Sequence, residues 1–265
     1  MKLSPNYVEK PWGRTELPSL FTGTDGRRIG EVWFAASAEQ HLPILVKYIF
    51  TSERLSIQVH PNDAEAQERG LPAGKTECWY ILDAEPGATL GLGLTKLLSP
   101  EELRAAALDG SIEELMDWKP VKAGDFFYVP AGTVHAIGAG ISLLEVQQNV
   151  DVTYRLYDYG RPRELHLDDG VAVSKAGPYP ESLATREANS GNLLLVDGDY
   201  FSVFHVEDLA AVPAHLSGKQ RWVMPLSGEA QCGEHTAGPG ECLYVPANAA
   251  LEKKDNAVIL LAAAV

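Results

Sequence analysis

A segment that occurs twice is the strongest constraint on this chain. Residues 124–135 read GDFFYVPAGTVH and residues 240–251 read GECLYVPANAAL. In each, a glycine opens a short run that ends in Tyr-Val, and Pro-Ala follows. Such a run predicts a buried strand. Proline cannot donate to a ladder, and Gly132 and Asn248, two residues later, both tolerate a positive φ. Each copy therefore predicts a strand that ends in a tight turn. One copy in each half calls for a β-rich molecule built from two similar halves. The copies differ at their last position, where His135 in the first becomes Leu251 in the second. The repeat keeps the turn and loses the imidazole.

A lone histidine beside a strand is usually structural, but His135 has company. Residues 54–60 read RLSIQVH, with Leu55, Ile57 and Val59 on one face of a strand and Ser56, Gln58 and His60 on the other. After a short polar stretch the chain returns as GKTECWYIL, where Lys75, Glu77 and Trp79 share a face. Gln58, His60, Glu77 and His135 together form a metal shell. Imidazole nitrogen and carboxylate oxygen suit a borderline divalent cation, and two His with one carboxylate leave positions open for water or substrate.

Four separated words occur in order: LSIQVHP at 55–61, GKTE at 74–77, VPAGTVHA at 129–136 and YRLYDYGR at 154–161. With PWG at 11–13, GEVW at 30–33 and LVK at 45–47, they make residues 10–161 resemble type I mannose-6-phosphate isomerases in their short bacterial form. G-x5-P-x-G-x2-H at 124–135 likewise resembles the second motif of the cupin superfamily. The resemblance implies a mostly β fold, a double-stranded β-helix or cupin jelly roll, with two barrels in tandem. It implies a catalytic, metal-binding domain over 1–165, and a linker with a degenerate second cupin-like domain without metal over 166–265. It also implies interconversion of mannose 6-phosphate and fructose 6-phosphate through an enediol(ate). One zinc ion per chain would sit on Gln58, His60, Glu77 and His135. Arg155, Lys75 and Glu145 would carry the proton chemistry and its charge, while Ser56 and Arg161 would meet the phosphate. Arg161 stands where many relatives have lysine, and a guanidinium can still bind phosphate bidentately.

Two other classes fit part of the pattern. A non-haem iron oxygenase also uses two His and a carboxylate, yet has no need of Lys75 and Arg155 beside the metal. A non-catalytic sugar-binding cupin would not need Arg155, Lys75 and Glu145 around an intact shell. Nucleotide hydrolysis is disfavoured: GLPAGKT at 70–76 has three residues between its first glycine and Gly-Lys where a P-loop needs four.

Between these words the chain reads as short strands with one departure. Ser99, Pro100 and Glu102 predict a capped helix start, so a helical insert is expected near 99–117. Trp12 and Trp33 read as core residues. Arg155 lies in an aromatic strand, 152–157, with Thr153 and Tyr157 on its side, where a guanidinium is costly unless paired or functional. Residues 162–190, with Pro162, Pro178 and Pro180, read as the connection between halves.

A net charge of −14 argues against nucleic acid and anionic membrane as partners. It also demands that any site for an anionic sugar phosphate supply its own local positive charge. Three cysteines without a CxxC pair predict reduced, buried thiols, hence a cytoplasmic protein. The first residues carry no apolar h-region, and the longest apolar run, 257–265, is too short to span a bilayer. A monomer or weak homo-oligomer is expected.

Overall fold

In a computed structural model the chain is described over residues 1–36, 42–254 and 256–265. The molecule is mostly β, with four sheets stacked in layers, and every pair of neighbouring strands runs antiparallel. In the first half, a seven-stranded sheet runs in the order Ser4–Arg14, Ile29–Ala35, Ile44–Phe50, Ile141–Gln148, Glu77–Ala84, Phe126–Val129, Ala184–Thr185. It faces a five-stranded sheet ordered Tyr154–Tyr157, Ile57–Val59, His135–Ile137, Thr89–Leu94, Met116–Pro120. Trp79, Ile81, Phe127 and Leu143 from the first meet Leu90, Leu92 and Ile137 from the second in one apolar core.

The second half repeats the arrangement on a smaller scale. Its five-stranded sheet contains Arg221–Ser227, Leu243–Val245 and Val258–Ala264, and its three-stranded sheet is centred on Ala230–Cys232. Val223, Val245, Ile259 and Leu261 pack against Ala230 and Ala237 between them. The sheets of each half face one another without closing into a continuous hydrogen-bonded barrel, which corrects the barrel picture in that one respect.

The two halves are joined back to back. Val46, Tyr48, Phe50, Tyr80 and Val146 share a single core with Phe201, Trp222, Met224, Tyr244 and Leu260. This explains the composition of Ile44–Phe50, ILVKYIF, buried at all seven positions. A strand covered on both faces has no solvent side to alternate with. The amino terminus adds to the junction, since Leu3 N–H donates to the Cys242 carbonyl at 2.9 Å.

Both repeated turns form as expected. Gly132 has φ 87° and Asn248 has φ 62°, the left-handed region that glycine and asparagine enter most easily. The helical insert also forms. Ser99 Oγ accepts from Glu102 N–H at 3.2 Å, and Ser99 N–H donates to Glu102 Oε2 at 2.7 Å, a reciprocal cap at the start of the helix Pro100–Asp109. Leu103, Ala106 and Ala107 pack it onto the outer face of the five-stranded sheet. The segment 162–190 is more than a connection. It forms the helix Leu167–Val173 and the edge pair Ala184–Thr185, so first-half pairing reaches Thr185, beyond the division expected near 165.

Candidate metal centre and active-site cavity

Both sheets of the first half deliver side chains to one point. Gln58 and His135 lie directly opposite each other on neighbouring strands of the five-stranded sheet. Glu77 opens a strand of the facing sheet. His60 follows Ile57–Val59, and its carbonyl accepts from Gly132 N–H at 2.8 Å, tying it to the turn before His135. One ligand atom each from His60, Glu77 and His135 lies within 4.8 Å of the others, and all three residues are buried.

Three observations fit this set to a divalent cation. Glu77 Oε1 is buried without a hydrogen-bond partner, though His135 Nε2 lies 3.4 Å away. His135 Nδ1–H donates to the Thr133 carbonyl at 2.8 Å, which leaves the Nε2 lone pair facing Glu77. Burial is the main cause that holds both imidazoles neutral: it lowers His135, and with the Lys75 charge it pushes His60 down to about 3, against the pull of Glu77. Neutral imidazole is the ligating form. Gln58 presents its amide nitrogen to His135 Nε2 at 3.2 Å. It can ligate only through its oxygen, so a half-turn of the amide is required.

Lys75 stands against the same atoms. Its ammonium donates to Glu77 Oε2 and, at 3.1 Å, to His60 Nε2. Burial opposes its charge, but the carboxylates of Glu145 and Glu77 outweigh burial and raise its pKa. Burial likewise pushes the Glu77 carboxyl up, and Lys75, His60 and His135 together hold it well below the usual range.

Above the ligands runs a rung of side chains in cross-strand register: Trp33 opposite Lys47, Lys47 opposite Glu145, Glu145 opposite Trp79. Trp79 Nε1–H donates to Glu145 Oε2 at 2.9 Å, and Lys47 Nζ lies 3.3 Å from Glu145 Oε1. Lys75 Nζ is 4.0 Å from the same oxygen. Burial, reinforced by Glu77, raises the Glu145 pKa against both lysines. A carboxyl whose pKa burial raises while two lysines oppose the shift suits proton transfer.

A cavity of about 520 Å³ opens onto this floor, and Ser56, Gln58, Lys75, Glu77, Glu145 and Arg155 line it. His60 and His135 lie off its wall. Arg155 pairs in register with Gln58, and its Nη1 donates to the Glu164 carbonyl at 2.9 Å. Burial, then the charge of Arg163, lowers its pKa. Thr153 lines the cavity with it, but Tyr157 does not. A bulge between Arg155 and Tyr157 breaks the expected parity, and Tyr157 packs on Tyr159 instead. Arg161 is not on the cavity wall. It is held by Asp158 Oδ1 at 2.8 Å and the Arg54 carbonyl at 2.7 Å.

Five cationic side chains, Lys10, Lys47, Lys75, Arg155 and Arg163, reach the cavity, alongside five carboxylates, Glu31, Glu77, Glu145, Asp151 and Glu164. Sequence reasoning did not single out Lys47, Arg163 or His166 as site residues. Lys47 carried a usable signal, since it is the one charge in an otherwise apolar, non-alternating strand. Arg163 and His166 carried none, because they sit in the polar stretch after Pro162.

The second half holds no counterpart of this centre among the described residues. Glu77 lies opposite Val129 in the first half, and Arg221 lies opposite Val245, the repeat's equivalent, in the second. Arg221 thus stands where Glu77 stands, and its Nη2 donates to the Ala249 carbonyl at 2.5 Å. A guanidinium replaces the carboxylate, and Leu251 replaces His135.

No protein-family model matches the chain. It is 38% identical to "Mannose-6-phosphate isomerase ManA" of Bacillus subtilis strain 168, over 75% of this chain and 76% of the relative. It is 34% identical to "Probable mannose-6-phosphate isomerase GmuF" of the same organism, over 88% of this chain and 91% of the relative. A crystal structure of the mannose 6-phosphate isomerase from Bacillus subtilis superposes with a TM-score of 0.77 at 27% identity, covering 98% of both chains. A solved mannose 6-phosphate isomerase described as zinc-bound reaches 0.71 at 15% identity, a likeness of fold alone. Sequence identity over three quarters of both partners, on a shared fold, shows that this chain belongs to the mannose-6-phosphate isomerase family.

Proposed function

We propose that the chain interconverts mannose 6-phosphate and fructose 6-phosphate through an enediol(ate), using one zinc ion held by His60, Glu77, His135 and Gln58. The observation that carries this reading is the meeting of Lys75, Glu145 and Arg155 in one cavity, above a buried His–Glu–His set. The donor set, two nitrogens and a carboxylate with an amide oxygen in reach, suits zinc. When bound, the ion polarises and orients neighbouring oxygens.

The remaining chemistry falls to side chains of this chain. Movement of a proton between C1 and C2 needs a group that alternates between acid and base, and Glu145 has the opposed environment for it. Arg155 and Lys75 supply fixed positive charge where an oxyanion develops. Trp79 holds Glu145 by one oxygen, which leaves Oε1 to face the lysines. An oxygenase has no use for Lys75 and Arg155 beside the metal, and a pure binding protein none for a buried carboxyl with a raised pKa.

A coupled assay with mannose 6-phosphate on zinc-loaded protein tests the reading. Turnover is expected, and binding of the sugar phosphate without turnover would identify a non-catalytic cupin. We also propose that the first half carries the catalysis and that the second half takes no metal. Arg221→Met and Leu251→Ala, in folded protein, are expected to leave about one zinc per chain, as elemental analysis measures. Selective loss of zinc in either variant would show that the second half contributes ligands. Cys78, Cys232 and Cys242 are free and buried, which supports a reducing, cytoplasmic setting. No helix among the described residues is long and apolar enough to cross a membrane.

A further inference from the structure

The segment after Tyr154–Tyr157 brings two donor side chains, Arg163 and His166, to the cavity and withholds a third, Arg161. Asp158, 2% exposed, lies between two arginines. Arg161 is held off the cavity wall: Nε and Nη2 donate to Asp158 Oδ1 at 3.1 and 2.8 Å, Nη2 also reaches the Arg54 carbonyl, Nη1 lies 3.8 Å from Glu53 Oε2, and the guanidinium stacks over Tyr159 at 5.4 Å. Arg163 is held as a fork, with Nε on Asp158 Oδ2 at 2.6 Å and Nη2 on Oδ1 at 2.7 Å. Its Nη1 has no hydrogen-bond partner among the described residues, and Arg163 lines the cavity. A fork on a buried carboxylate fixes the guanidinium plane and leaves one N–H edge for a ligand.

His166 is fixed in a comparable way. Its backbone N–H donates to the Arg155 carbonyl at 2.8 Å, and Arg155 N–H donates back to His166 Nδ1 at 3.2 Å. A ring nitrogen that accepts a backbone proton carries no proton of its own, so the neutral ring bears its proton on Nε2. His166 lines the cavity, and its Nε2 has no partner among the described residues. Arg155 lies between these two groups. It has no carboxylate partner, only the Glu164 carbonyl and His166 Nδ1 at 3.5 Å. Glu164 and Asp151 line the cavity as well, both exposed to water. The wall thus offers two oriented N–H donors, from Arg163 and His166, that match the oxygens of a tetrahedral anion.

We propose that Arg163 and His166, rather than Arg161, bind the phosphoryl group of the substrate. This rests on the sugar-phosphate reading above, and it assigns specificity for the phosphorylated sugar to a pair that sequence reasoning passed over. Arg161 then serves to hold Asp158, and through it the orientation of Arg163.

Two variants test the assignment. Arg163→Gln removes the charge. His166→Asn retains an acceptor for Arg155 N–H and deletes the Nε2 donor. In zinc-loaded protein that melts near the wild-type temperature, each is expected to raise the KM for mannose 6-phosphate by about tenfold, with kcat within about twofold of wild type. Inhibition by inorganic phosphate should weaken by the same factor. An unchanged KM and unchanged phosphate inhibition in both variants would overturn the proposal while leaving the isomerase reading intact. A loss of kcat at unchanged KM would also overturn it. If the wild-type protein fails to isomerise, the function reading falls, and the pair is judged by the upward shift in melting temperature that inorganic phosphate produces. That shift should be present in wild type and absent in both variants, and its absence from wild type defeats the proposal.

Discussion

Removal of the metal is expected to bring isomerase turnover down to background, and added zinc to restore it. The buried set explains why the loss should be complete. His60, Glu77 and His135 each offer one ligand atom within 4.8 Å of the others, so the ion that chelation takes away is the centre on which all three converge. His60→Ala should reproduce the loss, since one missing ligand of a three-residue buried set leaves the others uncompensated. The fold should survive, because the shared core and the second half take no ligand from the centre. Saturating zinc at about 1,000 times its dissociation constant would add about 4 kcal/mol of stability, visible as a higher melting temperature. Active protein that contains no transition metal by elemental analysis would defeat the assignment.

Arg155→Ala is expected to lower kcat by roughly 10²–10³-fold, the range found when one oxyanion donor is removed. Arg155 sits in register with Gln58, reaches the cavity, and is partnered only by a carbonyl and an imidazole. A guanidinium left without a carboxylate has its charge available for an anion that develops during the reaction. Zinc content and melting temperature should change little. If Arg155 only binds the ground-state anion, KM should rise while kcat stays near wild type. Joint loss of fold and metal would mark a structural residue. Near-normal kcat in folded, zinc-loaded variant protein would exclude a catalytic role and leave Lys75 and Glu145 as the groups to test.

Much of the fold was legible because backbone constraints are local. Pro130 with Gly132, and Pro246 with Asn248, dictate the same turn in both halves, and Ser99-Pro100 with Glu102 dictates a helix start. The meeting of His60, Glu77 and His135 was legible because metal chemistry requires particular residue types at strand parity. What could not be read depends on contacts distant in sequence. Tyr157 was expected to follow Arg155 into the cavity, and the bulge that turns it away arises from pairing with Ile57. The bond that ties Arg161 to the Arg54 carbonyl is of this kind. Lys47 joins Glu145 only because their strands pair, and no single stretch of sequence contains that fact.

The back-to-back junction makes the second half a mechanical support for the reaction centre. On Ile44–Phe50, Val46 and Tyr48 press on the second half while Lys47, between them, reaches the opposite face toward Glu145. Lys47 and Tyr48 are consecutive, so the packing that seats Tyr48 also places the backbone from which the Lys47 ammonium reaches Glu145. Packing at Trp222 and Met224, on the far side of the sheet from any substrate, can therefore tune the distance between a lysine and the carboxylate that moves the proton. Selection for faster variants would find useful positions there, in a region with no chemistry of its own.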